Sequence, residues 1–126
     1  MKGYIYGFLG NAYLIKYQRE RAINCFEKAL KNNTKNILAI YNYGIILLQD
    51  GHFDKALKLF FKSQELNNKK VKSKSIVPAV LNRTMLLEKN IPLAISSCYW
   101  RLNNMDKAIS TLEDLRKKYE YVSPNT

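Results

Sequence analysis

The sequence predicts an all-α fold, a stack of helical hairpins with about seven helices. Three observations predict it. Gly10 stands twelve positions before Ala22 and Gly44 twelve before Ala56, while Phe26 and Phe60 each follow their alanine by four. The same frame thus recurs thirty-four positions on, and a self-similarity of that period marks a helix–turn–helix repeat. Only three Pro and five Gly in the whole chain leave room for long helices. Where the strict period fades, apolar residues still recur at helical spacing, as in Ala108, Ile109, Leu112 and Leu115.

The first hairpin is expected to pair a helix over about Gly3 to Tyr17 with one over about Glu20 to Lys31. Asn32-Asn33-Thr34-Lys35-Asn36 has the composition of a connector. The second hairpin pairs about Ile37 to Gln49 with about Phe53 to Leu66, turned by Asp50-Gly51-His52, where Gly51 suits the left-handed residue that ends a helix. Asn67 to Ser75, with Lys69, Lys70, Lys72 and Lys74, reads as an exposed loop. An additional helix is expected from Ile76 to Glu88, with Pro78 in its first turn. Pro92 then starts a new helix that runs to about Asn103, and a last one follows from Met105 to about Tyr119.

The last two helices fit a third, degenerate copy. Tyr99 and Ala108 stand nine apart, as Tyr13 and Ala22 do. Ala108, however, follows Ala56 by much more than one period, and the surplus matches one additional helix with its loop. A competing register takes Ala94 as the small residue and pairs Ile76–Glu88 with Pro92–Asn103. The first register accounts for Tyr99 and the final helix together. Within each hairpin a mid-helix glycine costs about 1 kcal/mol relative to Ala. Close approach of the partner helix compensates, with Gly10 expected against Ala22 and Gly44 against Ala56, and Phe26 and Phe60 filling the gap toward the next repeat.

Bulk composition bounds the rest. Lys and Arg number 21 against 10 Asp and Glu, a formal charge of +11, which attracts anions such as nucleic acid, acidic proteins or an anionic surface. Two cysteines, Cys25 and Cys98, match no metal spacing and cannot frame a small domain, which points to a reducing, cytoplasmic setting. No run approaches the apolar length of a membrane span, roughly 18 residues. His52 stands in a turn with no fixed acid or thiol partner, the glycines lie within or at the end of helices, and Glu113 and Asp114 sit on an amphipathic helix. These features give no catalytic residue, no metal ligand and no cofactor site.

The frame Tyr6, Leu9, Gly10, Tyr13, Ala22, Phe26, Ala29 and its second copy Ile40, Tyr43, Gly44, Leu47, Ala56, Phe60, Ser63 resemble the tetratricopeptide repeat (TPR) family. The resemblance covers nearly the whole chain. It implies one domain over residues 1–126, a right-handed superhelical stack with repeats at about 3–36, 37–70 and 89–122 and an irregular loop and extra helix at 71–88. It implies a protein-binding scaffold, not an enzyme. In that family the first helix of each repeat lines a concave groove. The matching positions are Tyr4, Gly7, Asn11, Leu14 and Ile15 in the first copy and Leu38, Tyr41, Ile45, Leu48 and Gln49 in the second, with Asn42 and Asn11 at positions that hold a terminal carboxylate in some members. In the third copy they are Asn90, Leu93, Ser97, Trp100 and Arg101. Gly7 stands where a first lysine of such a carboxylate clamp would be, so no clamp is expected.

Charge placement sharpens this expectation. From Gly3 to Ile15 and from Ile37 to Gln49 there is no charged residue, whereas Arg21, Lys28, Lys31, Lys55, Lys58, Lys62, Lys107, Arg116 and Lys117 fall on the second helices. The groove is therefore neutral and tyrosine-rich, suited to an apolar or aromatic peptide or helix. The alternative is nucleic-acid or anionic-surface binding through the basic outer face and the Lys69–Lys74 loop. Nucleic-acid readers interleave aromatics with basic residues, which argues against specific recognition here. The first repeat starts at about Gly3 without a polar cap and the chain stops at Ser123-Pro124-Asn125-Thr126, so a longer array, or self-association through open repeat ends, is expected.

Overall fold

A computed structural model of the chain describes the backbone of residues 1–72 and 78–120, and the side chains of these outside 70–86. Among the described residues there are six helices and no strands: α1 (Lys2–Ile15), α2 (Arg19–Lys31), α3 (Ile37–Gln49), α4 (Phe53–Lys72), α5 (Pro78–Arg101) and α6 (Met105–Glu120). Each odd-numbered helix packs against the even-numbered helix that follows it. Successive hairpins join through α1 on α3, α2 on α3, α4 on α5 and α3 on α5. None of these helices is long and apolar enough to cross a membrane.

One turn geometry recurs three times. After α1 the N–H of Tyr17 donates to Leu14 O (3.0 Å) and that of Gln18 to Tyr13 O (2.9 Å). After α3 the N–H groups of Gly51 and His52 donate to Leu48 O (3.2 Å) and Leu47 O (2.8 Å). After α5 those of Asn103 and Asn104 donate to Trp100 O (3.0 Å) and Tyr99 O (2.8 Å). Tyr17, Gly51 and Asn103 all take positive φ, the left-handed residue that closes a helix C-terminus and satisfies its orphan carbonyls. The next helix opens alike each time, with Ala22, Ala56 and Ala108 donating to the carbonyls of Gln18, His52 and Asn104. Tyr13, Leu47 and Tyr99 are thus equivalent by backbone geometry, as are the three alanines. The connector after α2 closes on Asn33 in the same way, and Asn36 Oδ1 caps α3 by accepting from the N–H of Ala39 (3.1 Å).

At each mid-helix glycine the nearest side chain is the phenylalanine rather than the expected alanine. A Cβ on Gly10 would lie 2.4 Å from Cε1 of Phe26, and one on Gly44 2.6 Å from Cε1 of Phe60. The glycine's close partner is the phenylalanine ring. A helical side chain leans back over the turn before its own Cα, so Phe26 and Phe60 cover the level of Ala22 and Ala56 and reach the facing glycine. Both rings and both alanines are essentially fully buried. In the third hairpin the same registers hold Ser96 and Leu112: a small residue remains, opposite a smaller apolar one.

Two expectations are corrected. Asn67 to Lys72 is helical, because α4 runs on past Leu66, so no loop begins at Asn67. Asn67 is buried, while Lys69 is exposed and pairs with Glu65 one turn earlier (3.3 Å). Residues 73–77, which complete the expected loop and hold the start of the additional helix, lie outside the described residues, as does the Ser123–Thr126 tail. Pro92 does not start a helix. It lies inside α5, which removes the turn that the Ala94 register requires and lowers the expected seven helices to six. The reason is a continuous apolar stripe across the proline: Leu87, Ile91, Ala94, Ile95 and Cys98 are all buried in one core with Ile37, Ala56 and Phe60. That burial offsets the ~3 kcal/mol a proline costs inside a helix. A second cluster joins the first two hairpins through Ala22, Phe26, Ala39 and Ile46.

Candidate functional site

The face formed by α1, α3 and α5 holds the sequence-predicted groove positions, and they divide into two groups. On α3, Leu38, Tyr41, Ile45 and Leu48 are half-buried and pack against the core shared with α4 and α5. Tyr41 lies with its ring 5.7 Å from that of Phe60, and burial pushes its phenol above the usual range. Gln49 is exposed. On α1, Leu14 packs on the cluster between the first two hairpins, whereas Tyr4 and Ile15 are exposed, Tyr4 edge-on to Phe8 at 5.0 Å. On α5, Leu93 and Trp100 are exposed, Asn90 and Ser97 are half-buried, and the guanidinium of Arg101 sits over the Phe53 ring at 5.6 Å.

Asn11 and Asn42, the two clamp-like positions, meet each other. Asn42 Nδ2 donates to Asn11 Oδ1 at 2.9 Å, tying α1 to α3. Gly7 is buried where a Cβ would lie 3.0 Å from Asn36 Nδ2 and 3.3 Å from Ala39 Cβ, so it serves the close packing of α1 on α3. One cross-repeat contact had no signal in the sequence: Arg19 Nη2 donates to Asp50 Oδ1 (2.5 Å) and to Ile46 O (3.3 Å). Only the superposition of the two turns brings the start of α2 beside the end of α3.

The opposite face is basic and partly aromatic. Lys55, Lys58 and Lys62 lie along α4, all three exposed to solvent. Lys28 lies over Tyr6 (5.5 Å), Arg21 over Tyr13 (5.8 Å) and Lys107 over Tyr99 (5.6 Å). The last two pairs occupy the same register in the first and third hairpins, and each cation covers a half-buried ring. Tyr43 also has its phenol raised, first by burial and then by the adjacent Glu27 carboxylate, to which it donates (3.4 Å). A cavity of about 360 Å³ lies between α4, α5 and α6, away from the predicted groove. Phe61, Ile91 and Pro92 line it, and the ion pair of Lys118 with Glu88 stands at its rim.

No reaction centre assembles among the described residues. His52 is exposed in its turn. Cys25 and Cys98 are free and buried, and burial pushes the Cys98 thiol up to about 11, which keeps it protonated and unreactive at neutral pH. Among the described residues no three His, Cys, Asp or Glu side chains gather as a metal site.

Three tetratricopeptide repeat models match the sequence, over residues 3–36, 25–58 and 93–120. The chain belongs to the tetratricopeptide repeat family. The N-terminal domain of stress-induced protein-1 (STI-1) from C. elegans is similar in structure, with a TM-score of 0.69 over 93% of this chain and 84% of that one, at 14% identity. That likeness concerns the fold. No curated protein matches by sequence. The TPR fold is in general a non-catalytic scaffold, and TPR domains mediate protein–protein interaction.

Proposed function

We propose that this chain is a protein–protein interaction scaffold that holds an apolar or aromatic peptide or helix of a partner along the face of α1, α3 and α5, in the helix-in-groove manner. One observation carries the reading. The stretches Gly3–Ile15 and Ile37–Gln49 contain no charge, and the same face leaves Tyr4, Ile15, Leu93 and Trp100 exposed. Exposed aromatic anchors next to an uncharged wall are what a partner helix buries. The contact would be made by Tyr4, Ile15, Leu93 and Trp100, with the half-buried Leu38, Tyr41, Ile45 and Leu48 forming its floor and Asn11, Asn42 and Gln49 offering amide hydrogen bonds. In this reading the chain is one unit of three repeats, at about 3–36, 37–70 and 89–122. Free, buried Cys25 and Cys98 suit a reducing, cytoplasmic setting.

Selection of a displayed random peptide library on the chain tests it. Apolar or aromatic helix-forming sequences are expected to enrich. They are expected to lose binding to Ile15→Glu and Trp100→Glu, two exposed positions at which far-UV helicity is expected to stay unchanged. Acidic sequences that still bind those variants, and lose binding to a Lys55→Glu, Lys58→Glu, Lys62→Glu triple variant, would move the site to the basic outer face.

A further inference from the structure

The contact between the first two hairpins is a template that the first and last described hairpins repeat in separated halves. Within the chain, Ala22, Ile23 and Phe26 of α2 meet Ala39, Tyr43 and Ile46 of α3, with the Phe26 and Tyr43 rings stacked at 5.8 Å. One repeat period before Ala39, Tyr43 and Ile46 stand Ile5, Leu9 and Ala12 on α1. These form the receiving surface of the first hairpin, and they are open to solvent: Ile5 is 51% and Leu9 41% exposed. At the other end, the turn geometry that equates Ala108 with Ala22 places Ile109 and Leu112 in the registers of Ile23 and Phe26. They form the inserting surface of the last hairpin, and they are 54% and 42% exposed.

We propose that a second copy of this chain docks head-to-tail, α6 of one molecule seating Ile109 and Leu112 on Ile5 and Leu9 of the next. One chain carries both halves of a contact it already makes internally, in matching register, and both halves are apolar. The contact is heterologous. Each added molecule leaves one end of each kind free, so the assembly is open. It is also weaker than its template. The internal junction is latched by Arg19 on Asp50, and the same registers at the ends hold Met105 and Lys16, which cannot pair. Association therefore depends on concentration.

Light scattering of the full chain over a range reaching about 1 mM tests the proposal. The mass is expected to climb with concentration. Leu9→Asp and Ile109→Asp should each hold the chain at monomer mass. An equimolar mixture of the two should form a dimer and stop there, because the pair has one working end of each kind and the dimer uses both. Pairing Met105→Arg with Lys16→Asp supplies the missing latch and should lower the concentration of half-association about two- to fivefold. This gain decides the matter even if an aspartate variant folds poorly. A wild-type chain that stays monomeric throughout, a mixture that forms no dimer, or a mass insensitive to both aspartate variants overturns it. Peptide binding on the α1, α3 and α5 face should survive Leu9→Asp and Ile109→Asp, so failure here and failure of the proposed groove are separate results.

Discussion

The α2–α3 junction and the α4–α5 junction solve the same packing problem with helices of different length. At the first, α2 and α3 have 13 residues each; at the second, α4 has 20 and α5 has 24. These two increments account for the whole surplus by which the third copy departs from the repeat period. They amount to about two and about three turns at 3.6 residues per turn. Whole turns return each side chain to its original face, so the core stripe of Leu87, Ile91, Ala94, Ile95 and Cys98 runs along α5 unbroken into the third repeat. The difference teaches that a repeat array can absorb an insertion by lengthening one pair of facing helices while every turn within a hairpin keeps its hydrogen bonds. The long junction relies on buried apolar area. The short one adds a polar latch, Arg19 on Asp50, and closely packed glycines, with Gly3 so near the connector that a Cβ would sit 2.8 Å from Asn32 O.

The largest test of this contrast compares hairpin closure in the second and third repeats. Phe60 is fully buried over Gly44, whereas Leu112 stands in the same register over Ser96 and remains partly exposed. Phe60→Ala is expected to cost about 3–5 kcal/mol in urea unfolding, a large share of the stability of a small domain. Leu112→Ala is expected to cost about 1 kcal/mol or less. Equal losses would mean that the last hairpin is closed as tightly as the others, and its exposed apolar face would then need another explanation.

Much of the fold is legible in the sequence because a repeat writes its contacts into a spacing. The limits of α3, the left-handed Gly51 and the equivalence of Tyr13 with Tyr99 follow from local pattern. The continuity of α5 does not. Pro92 is a local signal to stop, and it is overridden by burial against α4, which the sequence does not display. Nor does the local composition of Asn67 to Lys72, which is that of a loop, show that α4 continues through it. Spacing puts the Gly10 and Gly44 contacts on the correct hairpins but does not single out the phenylalanine as each glycine's nearest neighbour, since it reports Cα positions and not the backward lean of a phenylalanine. The candidate face is legible as an uncharged wall. Its division into exposed Tyr4, Ile15 and Trp100 and half-buried Tyr41 and Ile45 is not, because it depends on how closely α5 approaches α3.

Pro92→Ala probes the long junction directly. If α5 is held continuous by its apolar stripe against the proline's local cost, alanine restores a hydrogen bond to the carbonyl of Glu88 and relieves the ring's clash, so the melting temperature should rise. The gain is about 1–3 kcal/mol, less whatever packing the half-buried ring provides. A loss of stability would show that the proline is needed as a helix start, and the account of the surplus as lengthened helices would fail with it.

The smallest effect concerns one turn position occupied by two different residues. Tyr17 and Gly51 stand one period apart and hold φ of 60° and 85°. Glycine reaches that conformation without strain, while a residue with a Cβ spends roughly 1–2 kcal/mol on it. Tyr17 is 95% exposed, so its ring returns little of that cost through packing. Tyr17→Gly is therefore expected to stabilise the chain by about 0.5–1 kcal/mol, after subtracting the extra entropy glycine gives the unfolded state, and Gly51→Ala to destabilise it by about 1 kcal/mol. The two substitutions should move the thermal midpoint in opposite directions although they alter the same position of successive repeats. A fall on Tyr17→Gly would mean that the left-handed strain at Tyr17 is smaller than the entropy glycine adds to the unfolded chain.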